Sequence, residues 1–124
     1  MPFDGTRRLA PFTSRIHGTT LVAGPTEKTL QEFVENNTRK FEFIYIDGGH
    51  SLETIDSDWR YCEKILSDKG VIVFDDYYLN DVTRGARPLV DSLLSNPAYR
   101  VRFFPMIEDI IEDLQITMVT VEKS

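Results

Sequence analysis

The sequence predicts an α/β domain built on a mostly parallel sheet with helices on both faces. Three observations carry this. Short apolar runs alternate with amphipathic stretches of about ten to sixteen residues, the pattern left by successive βαβ units. The runs FEFIYI (Phe41–Ile46) and VIVF (Val71–Phe74) are almost wholly apolar or aromatic, as strands covered on both faces are. Both runs end abruptly in acid, the first at Asp47 and the second at Asp75-Asp76.

Along the chain, residues 1–15 interleave Pro2, Gly5 and Pro11 with Arg7 and Arg8 and hold no period, which predicts an irregular arm. The β-rich stretch Ile16–Ala23 predicts a strand that stops at Gly24-Pro25. Thr26 then suits the N-cap of a helix through Asn37, with Glu27 in its first turn and Leu30, Phe33 and Val34 facing inward. After the Phe41–Ile46 strand, Ser51 offers an N-cap to a helix reaching about Ser67. Its apolar stripe is Leu52, Ile55, Trp59, Cys62 and Leu66. Gly70 suits the end of that helix's turn, and the Val71–Phe74 strand follows. A third helix is expected from about Val82 to Leu94, with Pro88 marking a start near Arg87 or a kink and Asn96-Pro97 stopping it. Tyr99–Phe104 and Leu114–Val121 read as strands of an antiparallel pair, separated by the acidic loop PMIEDIIED.

With 124 residues, 41% of them hydrophobic and 27% charged, the chain fits one domain, 1–124, able to bury its own core. A net charge of −6 disfavours nucleic acid and anionic membrane surfaces as partners. Cys62 is the only cysteine, which excludes an internal disulfide and a Cys-rich zinc site and fits a reducing compartment. No apolar run approaches the roughly 20 residues that span a bilayer, and the N-terminus lacks the apolar core of a signal peptide. A cytoplasmic location is expected.

The acidic strand ends are the chemical signal. Ligands of open α/β sheets sit beyond the carboxyl ends of the strands, where Asp47, Asp75 and Asp76 all map. If the two strands are neighbours, the carboxylates lie roughly 5–10 Å apart and need a common partner, most simply a hard divalent cation such as Mg²⁺. The competing reading makes them caps of the turns that follow, and adjacent Asp75 and Asp76 cannot both point the same way along a regular strand. His50, after two glycines, supplies an imidazole of near-neutral pKa to the same rim and suits a general base. His17 has no acidic or histidine neighbour at ligand spacing. Tyr77 and Tyr78 either wall a pocket or cover the core, Arg84 and Arg87 suit surface salt bridges, and Trp59 and Cys62 suit the core.

The stretch from Phe41 to about Leu94, with its D-G-x-H at Asp47–His50 and its D-D-Y at Asp75–Tyr77, resembles the second half of class I S-adenosylmethionine-dependent methyltransferases. The run VIVFDDYYLNDVTRGARPLVDSLL is similar to macrocin-type sugar O-methyltransferases. The resemblance implies a Rossmann-like sheet in which the Ile16, Phe41, Val71, Tyr99 and Leu114 strands are the third to seventh, the last antiparallel and the fold truncated at its N-terminus. It also implies Mg²⁺ or a similar ion on Asp47, Asp75 and Asp76, and Asp47 and His50 as catalytic groups. Gly24, Thr26, Asp47 and Gly48 would face S-adenosylmethionine, and the substrate would be a small-molecule hydroxyl. Gly49 stands where those sugar enzymes carry a second acid, and no two of the seven glycines have the G-x-G spacing of a cofactor loop. Two other readings follow. A non-catalytic fragment would leave one side of the Phe41 strand unpaired, and a second copy pairing there would give a homodimer. A metal-dependent hydrolase of phosphate esters would use the same acids, but the chain has no phosphate-cradling loop.

Overall fold

The structure, a computed structural model, describes residues 24–47, 51–109 and 114–124. The expected arm over residues 1–15, the Ile16–Ala23 strand with His17, and Gly48, Gly49 and His50 lie outside the described residues.

Eight elements follow in order: α1 (Thr26–Asn36), β1 (Phe41–Ile46), α2 (Leu52–Ile65), β2 (Leu66–Tyr78), α3 (Arg87–Leu94), β3 (Tyr99–Phe103), β4 (Glu108–Asp109) and β5 (Gln115–Lys123). The sheet order is β1-β2-β5-β3, with β4 pairing beside β5. Strands β1 and β2 are parallel, while β5 is antiparallel to β2, β3 and β4. Every described strand except β5 therefore runs one way, the mixed but mostly parallel arrangement that the sequence predicts.

Helices α2 and α3 connect strands that step across the sheet in the same direction. Because such crossovers are right-handed, both helices fall on one face. That face carries the core: Ile46, Ile72, Phe74, Val119 and Val121 of the strands meet Ile55, Trp59 and Cys62 of α2 and Leu89, Val90 and Leu93 of α3. Trp59 ties the layers together, its ring 6.0 Å from Phe74 and edge-on to Tyr99 at 5.2 Å. Helix α1 joins through α2, and Leu30 packs on the same core. The helical cover expected for the second face has no counterpart among the described residues.

Several boundaries differ from expectation. Pro25 is the N-cap of α1 and Thr26 its first residue, with no side-chain cap. Phe33 is exposed and lies against Phe41 at 6.0 Å. Strand β1 is not covered on both faces: Phe43 is 63% and Tyr45 46% exposed, because they project from the face opposite α2. Ser51 caps α2 as predicted, accepting from Thr54 N–H. Leu52, however, is exposed, and Leu66 already belongs to β2. Gly70 lies buried within β2, where a Cβ would meet Leu66 at 2.6 Å and the Phe41 carbonyl at 2.8 Å. The third helix starts at Arg87, the Pro88 option, with Ala86 as its N-cap. Glu108 and Asp109, expected in a loop, pair with Ile116 and Gln115.

Candidate functional site

Strand β1 delivers Asp47 to the carboxyl edge of the sheet, beside its neighbour β2, where Ile46 pairs with Phe74. Strand β2 does not stop at its acids. Phe74 pairs with Val119 and Tyr77 with Thr117, so three steps along β2 match two along β5. Asp75 and Asp76 occupy that irregularity, a β-bulge facing Met118. A bulge breaks strict alternation and re-aims side chains. The alternation argument against Asp75 and Asp76 acting together therefore does not apply here. A ligand oxygen from each of Asp47, Asp75 and Asp76 lies within 4.8 Å of the others.

The bulge is clamped from the side of α3. Gly85 bridges to Tyr77 with φ +64°, and a Cβ there would meet the Asp76 carbonyl at 2.6 Å. The Asp76 carbonyl accepts from Ala86 N–H at 2.9 Å. Arg87 donates to the carbonyls of Tyr78 and Leu79 at 2.8 and 2.7 Å and pairs with Asp91 at 3.3 Å. Tyr77 is buried, donates to Asp91 at 2.6 Å and packs on Phe103, which makes it a cover of the core and not a pocket wall. Burial comes first, and the Asp91 bond second, in pushing its hydroxyl up to about 12. Arg84 pairs with Asp81 and lies over Tyr78, the surface role expected of it.

Tyr45 is the site residue that sequence reasoning missed. Partial desolvation first, then interaction with Asp75 and the fields of Asp47 and Asp76, push its hydroxyl up to about 12. A signal was present, since Tyr45 and Asp47 are two apart and share a side of the strand. Beneath the rim, Ile46, Ile55, Phe74 and Ala86 leave a void of only about 10 Å³. The acids thus sit on an apolar floor.

Carboxylates this close favour a cation between them. Oxygens on opposite sides of one ion are about 4.2 Å apart for Mg²⁺ and about 5 Å for Ca²⁺. Three ligands of one ion cannot all lie opposite one another, so oxygens up to 4.8 Å apart would have to close in to share it. The donor set, all carboxylate oxygen, matches a hard divalent cation.

Two residues expected near a cofactor are visible. Gly24 is exposed, with φ +132° just before α1. Thr26 is bonded through its side chain to buried Asp58, so its hydroxyl is engaged within the α1–α2 contact. A cleft of about 380 Å³ adjoins the acids on the β5 side, lined by Asp75, Phe104, Met106, Ile107, Ile116 and Met118 with Glu108 and Thr117. Nothing local in the sequence marks it, because its walls come from both sides of the segment before β5.

A family model described as a methyltransferase domain matches residues 5–77, a span that includes Tyr45, Asp47, Asp75 and Asp76. The structure is similar to that of the precorrin-6y C5,15-methyltransferase of Geobacter metallireducens GS-15, with a TM-score of 0.59 at 18% identity. The likeness covers 95% of this chain and 59% of that one, and at this identity it is a likeness of fold. No curated protein matches the chain. A family match over more than half of the sequence, lying on this strand order, places the chain in the methyltransferase-domain family.

Proposed function

We propose that the chain takes part in S-adenosylmethionine-dependent O-methylation of a small-molecule hydroxyl, with Asp47, Asp75 and Asp76 holding a divalent cation. The observation that carries this reading is the meeting of the three carboxylates at the carboxyl ends of neighbouring parallel strands, inside the span matched by the family. The D-D-Y likeness to macrocin-type enzymes supports oxygen as the accepting atom.

An alcohol is a poor nucleophile until it loses its proton. The bound cation would lower the pKa of a hydroxyl coordinated to it. Asp47, Asp75 and Asp76 would fix where that hydroxyl sits, with the Tyr45 hydroxyl beside Asp75. His50, three positions after Asp47, takes the hydroxyl proton on an imidazole nitrogen. S-adenosylmethionine, when bound, would supply a methyl carbon on a sulfonium to the freed oxygen, its sulfur leaving as a thioether. This reading assigns the cofactor to the backbone at Gly24 and, from the sequence alone, at Gly48.

Calorimetric titration with S-adenosylhomocysteine, with and without Mg²⁺, tests it. Heat that grows when Mg²⁺ is present, and that falls at least about tenfold in affinity in Asp47→Asn or Asp76→Asn, is the expected result. Absence of heat and of any thermal shift in the unmodified chain would sink it.

A second reading, assembly into a homodimer, rests on the exposure of Phe43 and Tyr45 on β1, the terminal strand of the described sheet order. In that case the chain acts in a cytoplasmic assembly and not as a catalyst.

A further inference from the structure

Resting on the proposed methyl transfer, we infer that the acceptor carries an apolar body beside its reacting hydroxyl and bears no anionic group, because the cleft next to the acids is apolar in its walls and offers no cationic side chain among its described lining. The cleft holds about 380 Å³, within the range of small-molecule sites. Phe104, Met106, Ile107, Ile116 and Met118 supply its apolar surface, and Phe104, Met106 and Ile107 are 40%, 79% and 58% exposed. Exposed apolar groups gathered around a concavity mark a binding surface more often than isolated ones do.

The polar lining decides the charge class. The Thr117 hydroxyl is already engaged with the carbonyls of Phe104 and Met106, at 3.1 and 2.9 Å. The remaining polar side chains are Asp75 and Glu108, both acidic. Among the described residues, no arginine, lysine or histidine lines the cleft. A carboxylate or phosphate seated there would face Glu108 and meet no cationic side chain among the described lining, whereas a neutral ring or an amine would not be repelled. A bare polyol would lose hydration to walls that return few hydrogen bonds. Asp75 belongs to both the cleft and the acid cluster, so a body in the cleft brings its hydroxyl to the cluster edge. Apart from Asp75, the lining lies beyond the span matched by the family.

Saturation-transfer NMR on the full chain tests this with four matched probes: 4-methylphenol, tyramine, 4-hydroxybenzoate and glucose. The expected order is 4-methylphenol and tyramine bound, 4-hydroxybenzoate at least about tenfold weaker and glucose silent. Ile107→Asp and Met106→Asp, both at exposed positions, are expected to abolish 4-methylphenol binding with the circular dichroism spectrum unchanged. The inference is overturned if 4-hydroxybenzoate or glucose binds as well as 4-methylphenol, if no probe binds, or if neither variant changes binding. Calorimetry with S-adenosylhomocysteine on the same samples separates the two ideas. Cofactor heat with the wrong probe order sinks only the acceptor class, and phenol binding without cofactor heat sinks only the methyl transfer.

Discussion

Asp58 is a residue whose ionisation works against the fold. It is 4% exposed in α2, one of its carboxylate oxygens is buried without a hydrogen-bond partner, and Thr26 bonds to the side chain. Burial raises its pKa first and foremost, the Thr26 bond lowers it, and the charge of Glu27 raises it again. A carboxyl raised in the folded state contributes most below its unfolded value, about 3.9, and that contribution is lost as pH rises through the folded value. Urea unfolding from pH 4 to 7 is therefore expected to show stability falling across that window by more in the native sequence than in Asp58→Asn. Equal slopes would refute the assignment. Cys62, beside it in the core, is pushed up to about 12 by burial and then by the Asp58 charge, which leaves its thiol protonated and unreactive.

At the scale of elements, the bulge in β2 decides the site. Gly85 is held at φ +64° against the Asp76 carbonyl, and Ala86 and Arg87 fasten the backbone on either side of Tyr77 and Tyr78. Gly85→Ala forces a Cβ into that contact and a left-handed conformation that costs about 1–2 kcal/mol before the clash is counted. A fall in Tm of at least about 3–8 °C is expected, and, on the proposed cation reading, weaker Mg²⁺ binding even where the variant is folded. A variant that keeps full Mg²⁺ affinity would show that the clamp does not position the acids. Core packing offers a contrasting control. Trp59→Ala removes the ring between Phe74 and Tyr99 at a cost of about 3–5 kcal/mol, read as a shift in urea midpoint.

Across the whole molecule, the described helices lie on one face of the sheet, and β1 leaves Phe43 and Tyr45 exposed on the other. Light scattering at rising concentration reads whether that surface pairs. The assembly reading expects a dimer that Phe43→Lys returns to a monomer, and a monomer throughout removes it. The chain spans 59% of the precorrin methyltransferase structure it resembles.

The sequence alone determined the alternation of strands and helices, the limits of β1, the Ser51 cap of α2 and the Arg87 start of α3. Each follows from residues near one another in the chain: apolar period, a capping hydroxyl, a proline at the first turn. It also put Asp47, Asp75 and Asp76 at one edge, because strand ends are local and neighbouring parallel strands share their carboxyl side. Only tertiary structure decided that β2 runs on to Tyr78, since the partner that lets it continue is β5, some forty residues away. The same partner creates the bulge in which oxygens of two adjacent aspartates come within 4.8 Å of each other. The Tyr45 interaction with Asp75, the tie between Thr26 and Asp58, and the apolar cleft likewise depend on residues far apart in the chain, which no local pattern can register.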